Sequence, residues 1–106
     1  MTSGITSRKI VTEIRLALSA KNDLWGVYGF GSFFRGENYN DIDILLVSTL
    51  DAISPLGTYK SCRETLKQLS KKWNVEIDIT FLTYGEHLQK PLREHDSLFE
   101  IWRLET

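Results

Sequence analysis

Residues 29–47 have the sequence GFGSFFRGENYNDIDILLV, and this stretch decides the fold. A Gly-Ser pair, Gly31 and Ser32, ends one apolar segment, and a polar loop leads from there to a second segment. The second segment begins with Asp41 and Asp43 and continues as four apolar residues, 44–47. A short run that is apolar on both faces predicts a strand inside a sheet whose two faces are both covered by other parts of the chain.

The sequence on either side of this stretch predicts helices that alternate with strands. Apolar residues at helical spacing predict a helix over residues 7–20 and a longer one over residues 55–73, the latter with Ser54 as its cap. Strand patterns cover residues 24–30, 75–81 and 97–104, and a capping-box pattern at residues 83–86 predicts a short helix. We therefore expect an α/β (α+β) domain, with a small mixed sheet of three to four strands and helices packed on one side.

The composition excludes several classes of protein. With 106 residues, 42% apolar and 25% charged, residues 1–106 are expected to form one globular domain. The 13 basic and 14 acidic residues give a net charge of −1, so general DNA binding is not expected. The only cysteine, Cys62, cannot form an internal disulfide. No segment approaches the ~20 apolar residues of a membrane helix, and the N-terminus lacks a signal-peptide pattern, so we expect a cytoplasmic protein that does not bind membranes.

Two aspartates open the apolar strand and are candidates for metal ligands. Asp41 and Asp43 are two residues apart, so their carboxylates point to the same face of the strand and repel each other. Bound Mg²⁺ or Mn²⁺ would relieve that repulsion. If the strand over residues 75–81 lies alongside and faces the same way, Asp78 joins them. Three carboxylates can hold two metal ions about 4 Å apart, an arrangement used for displacement at phosphorus.

The same pair also has a simpler interpretation. An isolated Asp-x-Asp pair usually faces solvent and binds nothing. This pair, however, opens a strand that is otherwise apolar, where an unpartnered charge would be costly.

The Gly-Ser turn is a candidate phosphate-binding element. Gly31 lets the backbone approach a ligand closely, and Ser32, expected to cap a short helical turn, offers its hydroxyl to an anion. Arg35 follows three residues later, and its guanidinium can bind two phosphate oxygens at once. The alternative for Arg35 is a surface ion pair with Glu37.

Other polar and aromatic residues carry weaker signals. His87 and His95 lack the spacing of a zinc pair and are predicted to be surface residues. Phe33 and Phe34 flank the Gly-Ser turn; one of them should pack beneath it, and the sequence does not choose which. Glu76 shares the polar face of its strand with Asp78, and its role stays open.

Residues 29–47, followed by an acid on a later strand in residues 75–81, resemble the signature of the DNA polymerase β-like nucleotidyltransferase superfamily. In length the chain resembles the minimal nucleotidyltransferases, small proteins often paired with a HEPN-domain partner in toxin–antitoxin modules. The matching motifs span residues 29–81, about half the chain. One departure is the loop of eight residues between Ser32 and Asp41, which is shorter than in many such proteins.

The resemblance implies a role for each motif residue. Gly31, Ser32 and Arg35 would bind the nucleoside triphosphate. The metal ligands and catalytic residues would be Asp41, Asp43 and Asp78, holding two Mg²⁺ ions, with Mn²⁺ as an alternative.

The resemblance also implies an activity and a partner. AMP would pass from ATP to a hydroxyl of a protein or RNA, and a separate protein chain, such as a HEPN-domain toxin, would be the partner. The alternative is a catalytically weak module that binds nucleotide and neutralises its partner by forming a complex.

Overall fold

The computed structural model describes residues 7–105 of the chain. Residues 1–6, in which the sequence predicts no signal peptide, lie outside the described range. No helix within residues 7–105 is long and apolar enough to cross a membrane.

Within residues 7–105, four strands and four α-helices follow one another much as the sequence predicts. In chain order they are α1 (Ser7–Leu18), β1 (Leu24–Phe30), α2 (Gly31–Phe34), β2 (Asp41–Ser48), α3 (Pro55–Trp73), β3 (Glu76–Thr83), α4 (Tyr84–Leu88) and β4 (Phe99–Arg103). A 3₁₀ helix, Arg93–Ser97, precedes β4. It occupies the start of the segment predicted as the last strand, so β4 begins two residues later than expected.

The strands form one mixed sheet in the order β3-β2-β1-β4. Strand β1 is antiparallel to both β2 and β4, whereas β2 and β3 are parallel and are joined through α3. A parallel pair needs such a crossover, and the long helix supplies it. The four-stranded mixed sheet confirms the predicted fold class.

Strand β2 is the centre of the core, as its apolar run predicts. Residues 44–47 are fully buried, with one set of alternating side chains on each face of the sheet. Ile44 and Leu46 pack with the buried residues of α1 and α3, which cover the first face. Leu45 and Val47 pack with Tyr28 on the second face. Side chains alternate along a strand, so Asp41 and Asp43, the candidate ligands, lie on the same face as Leu45, which is the second face.

Helix α3 has the predicted boundaries because both of its ends are capped. The Ser54 hydroxyl accepts a hydrogen bond from the Gly57 amide at 3.0 Å, and Asn74 ends the helix with a left-handed backbone (φ 56°). Cys62 lies on the apolar face of this helix and is fully buried. Leu56 has the helical spacing of the other apolar residues but is 61% exposed, because it lies in the first turn beside an exposed loop that carries Ile53.

Residues 84–98, called here the crossing segment, connect the two edge strands of the sheet. Because β3 and β4 lie at opposite edges, this segment passes over the second face and covers Tyr28, Leu45 and Val47. It starts with the predicted capping box. The Thr83 amide donates to a Glu86 carboxylate oxygen at 2.9 Å, and the Glu86 amide donates to the Thr83 hydroxyl at 3.3 Å.

Two histidines in the crossing segment, predicted to be surface residues, are half-buried and contact each other. His87 Nδ1 and His95 Nε2 are 3.0 Å apart, and the Leu92 amide donates to His95 Nδ1 at 3.0 Å. The His87 ring also stacks on Tyr28 with centroids 5.3 Å apart. Sequence spacing gave no sign of this pair, because the irregular backbone before the 3₁₀ helix brings the rings together.

The two hydrogen bonds fix the protonation of both rings. His95 accepts at Nδ1, so its proton is on Nε2 and is donated to Nδ1 of His87. His87 therefore carries its own proton on Nε2. Protonating His87 would place its Nδ1 proton against the Nε2 proton of His95, so the contact between the rings exists only while His87 is neutral.

We predict that the protein loses stability in mild acid through this pair. Burial, and then the neighbouring His95, lower the pKa of His87. A lowered histidine pKa stabilises the fold above the ordinary pKa of about 6.5 and stops doing so as the pH falls through the lowered value. Urea unfolding at several pH values should show this decline, and His87→Phe, which keeps an aromatic ring against Tyr28, should flatten it.

Nitrogen NMR of the imidazole side chains tests the same contact directly. Near neutral pH both rings should be in the Nε2–H tautomer. Finding the Nδ1–H tautomer in either ring would contradict the hydrogen-bond assignment.

Candidate active site

Parallel pairing of β2 and β3 brings three aspartates together on the second face. The register places Asp43 opposite Asp78, and Asp41 lies two residues before Asp43. Each of the three offers a carboxylate oxygen, and these oxygens all lie within 4.8 Å of one another. The sequence left the position of Asp78 dependent on strand order. The observed order places it beside the other two.

Two carboxylates of this triad have raised pKa values, and Asp78 contributes to the increase in both. Burial is the main cause that raises the pKa of Asp43, followed by the charges of Asp41 and Asp78. The pKa of Asp41 is raised chiefly by a hydrogen bond with Asp78. Carboxylate oxygens at this spacing are the donors that hard divalent cations prefer, so the triad could hold a metal ion.

The turn from β1 into α2 fits closely against the triad and requires glycine. Gly31 has a left-handed backbone (φ 83°), and a Cβ atom there would overlap the Asp43 carboxylate. A Cβ atom on Gly29 would overlap the Phe34 ring. The two glycines therefore allow the α2 turn to lie directly beside the acidic side chains.

Ser32 directly follows Gly31 in the α2 turn, but it is not the predicted cap. The N-cap of α2 is Phe30, which makes no side-chain hydrogen bond, and Ser32 is the second residue of the helix. The expectation that Ser32 caps the turn was wrong because the helix begins directly at Gly31, where the strand ends. Among residues 7–105 the Ser32 hydroxyl has no hydrogen-bond partner, which leaves it open to a ligand.

Arg35 lies at the end of α2 and forms the ion pair that the sequence offered as its alternative role. Its Nη2 is 3.1 Å from Glu37 Oε1, and both side chains are 56% exposed. The pKa of Arg35 is raised mainly by Glu37 and to a smaller extent by Glu94 and Asp43. Exposed ion pairs of this kind contribute little to stability because solvent screens their charges, so a phosphate could replace Glu37 as the partner of Arg35.

The structure settles the choice between the two phenylalanines. Phe33 is buried in the core beneath the turn, whereas Phe34 is half-buried between Gly29 and Phe99.

Glu76 is exposed and pairs in register with Asp41, at the start of β3. Its role stays open.

One charged residue near the site was missed from the sequence. Glu94, in the 3₁₀ helix of the crossing segment, is close enough for its charge to raise the pKa of Asp43. It lies on an irregular segment far from the motif along the chain, so no local pattern could have indicated it. Its charge adds to the negative potential around the triad.

The same architecture occurs in solved structures. A candidate nucleotidyltransferase from Sulfolobus solfataricus matches with a TM-score of 0.57 and 21% identity, over 97% of this chain and 92% of that one. Two mutants of the toxin–antitoxin pair MntA-HpeT match with TM-scores of 0.57 and 0.54 and identities of 18% and 14%. These matches cover 96% and 95% of this chain and 76% and 75% of those chains.

These likenesses define the fold. MntA is a minimal nucleotidyltransferase, so the chain has a fold of the minimal-nucleotidyltransferase type, as its motifs predict. No protein-family model and no curated protein matches the sequence.

We predict that removing one carboxylate stabilises the metal-free protein. Asp78→Asn relieves repulsion within the triad, so the melting temperature without divalent ions should rise by about 2 °C, a modest electrostatic effect for a domain of this size. Adding Mg²⁺ or Mn²⁺ should raise the melting temperature of the wild type more than that of the variant, which keeps Asp41 and Asp43 but lacks the third carboxylate. Asp51→Asn, an exposed loop aspartate, is the control for charge alone. Equal stabilisation by the control substitution would contradict the prediction.

A second prediction separates backbone strain from the contact with Asp43. Both Gly31 and Gly36 have positive φ, but only a Cβ atom on Gly31 meets another residue. Gly36→Ala should therefore cost roughly 1–2 kcal/mol of unfolding free energy from the backbone alone. Gly31→Ala should cost more, because the Asp43 carboxylate must move. Urea unfolding measures the free energy of unfolding of both variants. Equal losses would show that the turn is not in close contact with the Asp43 carboxylate.

Proposed function

We propose that the protein is a metal-dependent nucleotidyltransferase that transfers AMP from ATP to a hydroxyl group and releases pyrophosphate. The observation that carries this proposal is the meeting of Asp41, Asp43 and Asp78 within 4.8 Å, beside a glycine-dependent turn. Acidic triads beside phosphate-binding turns suit in-line displacement at phosphorus.

The donor set fits divalent metal ions of the Mg²⁺ or Mn²⁺ type. Three aspartates supply oxygen ligands, and their mutual repulsion gives them a reason to bind a cation. Asp41 and Asp43 would hold both ions, and Asp78 would complete the coordination of one. When bound, the ions supply positive charge to the triphosphate and to the attacking oxygen.

The side chains of the turn would hold the triphosphate. The Ser32 hydroxyl donates to a phosphate oxygen, and Arg35 exchanges Glu37 for a second phosphate oxygen. The α-phosphorus then lies in line between the acceptor oxygen and the departing pyrophosphate oxygen. The new P–O bond forms as the bond to pyrophosphate breaks, and Asp78 takes the proton of the acceptor hydroxyl.

We propose a separate protein as the partner that presents or is the acceptor. The resemblance of the motifs to the minimal nucleotidyltransferases supports a HEPN-domain toxin, with this chain acting as its antitoxin in the cytoplasm. The fold shared with MntA, which forms a toxin–antitoxin pair with HpeT, is in keeping with this role.

Transfer of label from ATP tests the proposal. Purified protein is incubated with α-labelled ATP, Mg²⁺ or Mn²⁺, and extract of its own host. The wild type should label one macromolecule, and Asp43→Asn should reduce the labelling at least about a hundredfold, as expected when a group that stabilises the transition state is removed. Asp51→Asn should label at the wild-type rate.

Two outcomes would contradict the proposal. Full labelling by Asp43→Asn would show that the reaction does not use the triad. No labelling from any of the four nucleotides, with either metal, would favour the alternative in which the chain neutralises its partner by binding alone.

A further inference from the structure

A second concave site lies beside α2, between that helix, α1 and the start of β4. It is a cleft of about 700 Å³. Three arginines from two helical segments line it: Arg8, Arg15 and Arg35. Its volume is within the range of sites that bind ligands. The proposed reaction assigns Arg35 to phosphate but gives no role to Arg8, Arg15 or the cleft itself.

Of the three arginines in this cleft, Arg35 is paired with Glu37, whereas Arg8 and Arg15 have no acidic partner among residues 7–105. None of the described residues that line it is acidic, although the chain as a whole has a net charge of −1. Within residues 7–105, Arg8 is exposed and has no hydrogen-bond or ion-pair partner. The Arg15 Nε donates to the Ile101 carbonyl at 3.0 Å, which holds its side chain in place and leaves its terminal nitrogens free to bind.

The rest of the lining is apolar and partly open. Val11 and Phe33 are buried, whereas Phe99 is 45% exposed. The rings of Phe34 and Phe99 lie 5.5 Å apart at an angle of 31° and both line the cleft, so they form one aromatic surface in it. An apolar floor with a cationic rim suits a ligand that has an apolar group between negative charges.

We propose that this cleft is the docking site for a short acidic segment of another protein chain, with a large apolar side chain between its carboxylates. The carboxylates bind the arginine guanidiniums, which accept such groups in a two-point geometry. The apolar side chain packs on Phe34 and Phe99 and removes the exposed part of Phe99 from water.

A peptide fits this charge distribution better than a nucleic acid does. Glu37 and Glu94 lie near Arg35 at the border of the cleft. A phosphate backbone that continued past Arg35 would meet these two carboxylates and be repelled by them. A short segment with a few carboxylates does not extend beyond the positively charged cleft, so it avoids this repulsion.

This docking site is distinct from the acidic triad and does not depend on the proposed transfer reaction. Arg35 is the link between the two, since it borders the cleft and its pKa responds to Asp43. A segment bound here would therefore lie next to the candidate active site. Binding can be measured without nucleotide or metal, so the two proposals can fail separately.

The test uses fluorescein-labelled peptides of one length and fluorescence anisotropy. The first peptide contains glutamate and phenylalanine, the second glutamate and serine, and the third lysine and phenylalanine; an oligouridylate serves as the nucleic-acid probe. We expect only the first peptide to bind well, and its affinity should fall with added salt, since the charges are partly exposed. Asp43→Asn should bind it about as well as the wild type.

Matched variants locate the binding. Arg8→Glu reverses an exposed, unpartnered charge in the cleft and should weaken binding at least about fivefold. Phe99→Ser should weaken peptide binding as well, because it removes part of the aromatic surface of the cleft. Lys60→Glu makes the same charge change on the exposed side of α3, outside the cleft, and should leave the affinity within about twofold of the wild type.

Three results would overturn the proposal. They are failure of the acidic phenylalanine peptide to bind, equal weakening by Lys60→Glu and Arg8→Glu, and tighter binding of the oligouridylate than of the peptide. Circular dichroism of each variant excludes loss of folding as the cause, since Arg8, Phe99 and Lys60 are all exposed.

Discussion

The arrangement of the site depends on the parallel pairing of β2 with β3. That register sets Asp43 opposite Asp78, so three carboxylates repel one another on one face of the sheet. The fully buried run of β2 on both faces holds the pair in register, because a shift by one residue would turn Leu45 and Asp43 to the opposite face. The apolar core thus keeps in place an acidic cluster that would otherwise separate.

The repulsion in the triad is also what makes the site suitable for chemistry. The pKa values of Asp41 and Asp43 are raised by their neighbours and by burial, so the charged forms are held at higher energy than in water. A divalent cation removes this cost when it binds. Stability and the proposed function are therefore opposed at these positions.

The sequence predicted those features that depend on local periodicity or short motifs. The helix and strand order, the caps at Ser54 and Thr83, and the buried strand β2 all follow local rules. Contacts between distant segments could not be predicted in this way. The His87–His95 contact, the position of Glu94 and the arginine cleft depend on how the crossing segment and α1 pack against the sheet, and neighbouring residues carry no signal of that packing.

The most direct test of the central claim is a crystal structure determined with Mn²⁺ and a non-hydrolysable ATP analogue. Anomalous scattering locates the metal without assumptions about the ligand. We predict manganese within coordinating distance of Asp41, Asp43 and Asp78, with the triphosphate against Ser32. Manganese absent from the triad, or nucleotide bound at another surface, would contradict the assignment of this face of the sheet as the active site.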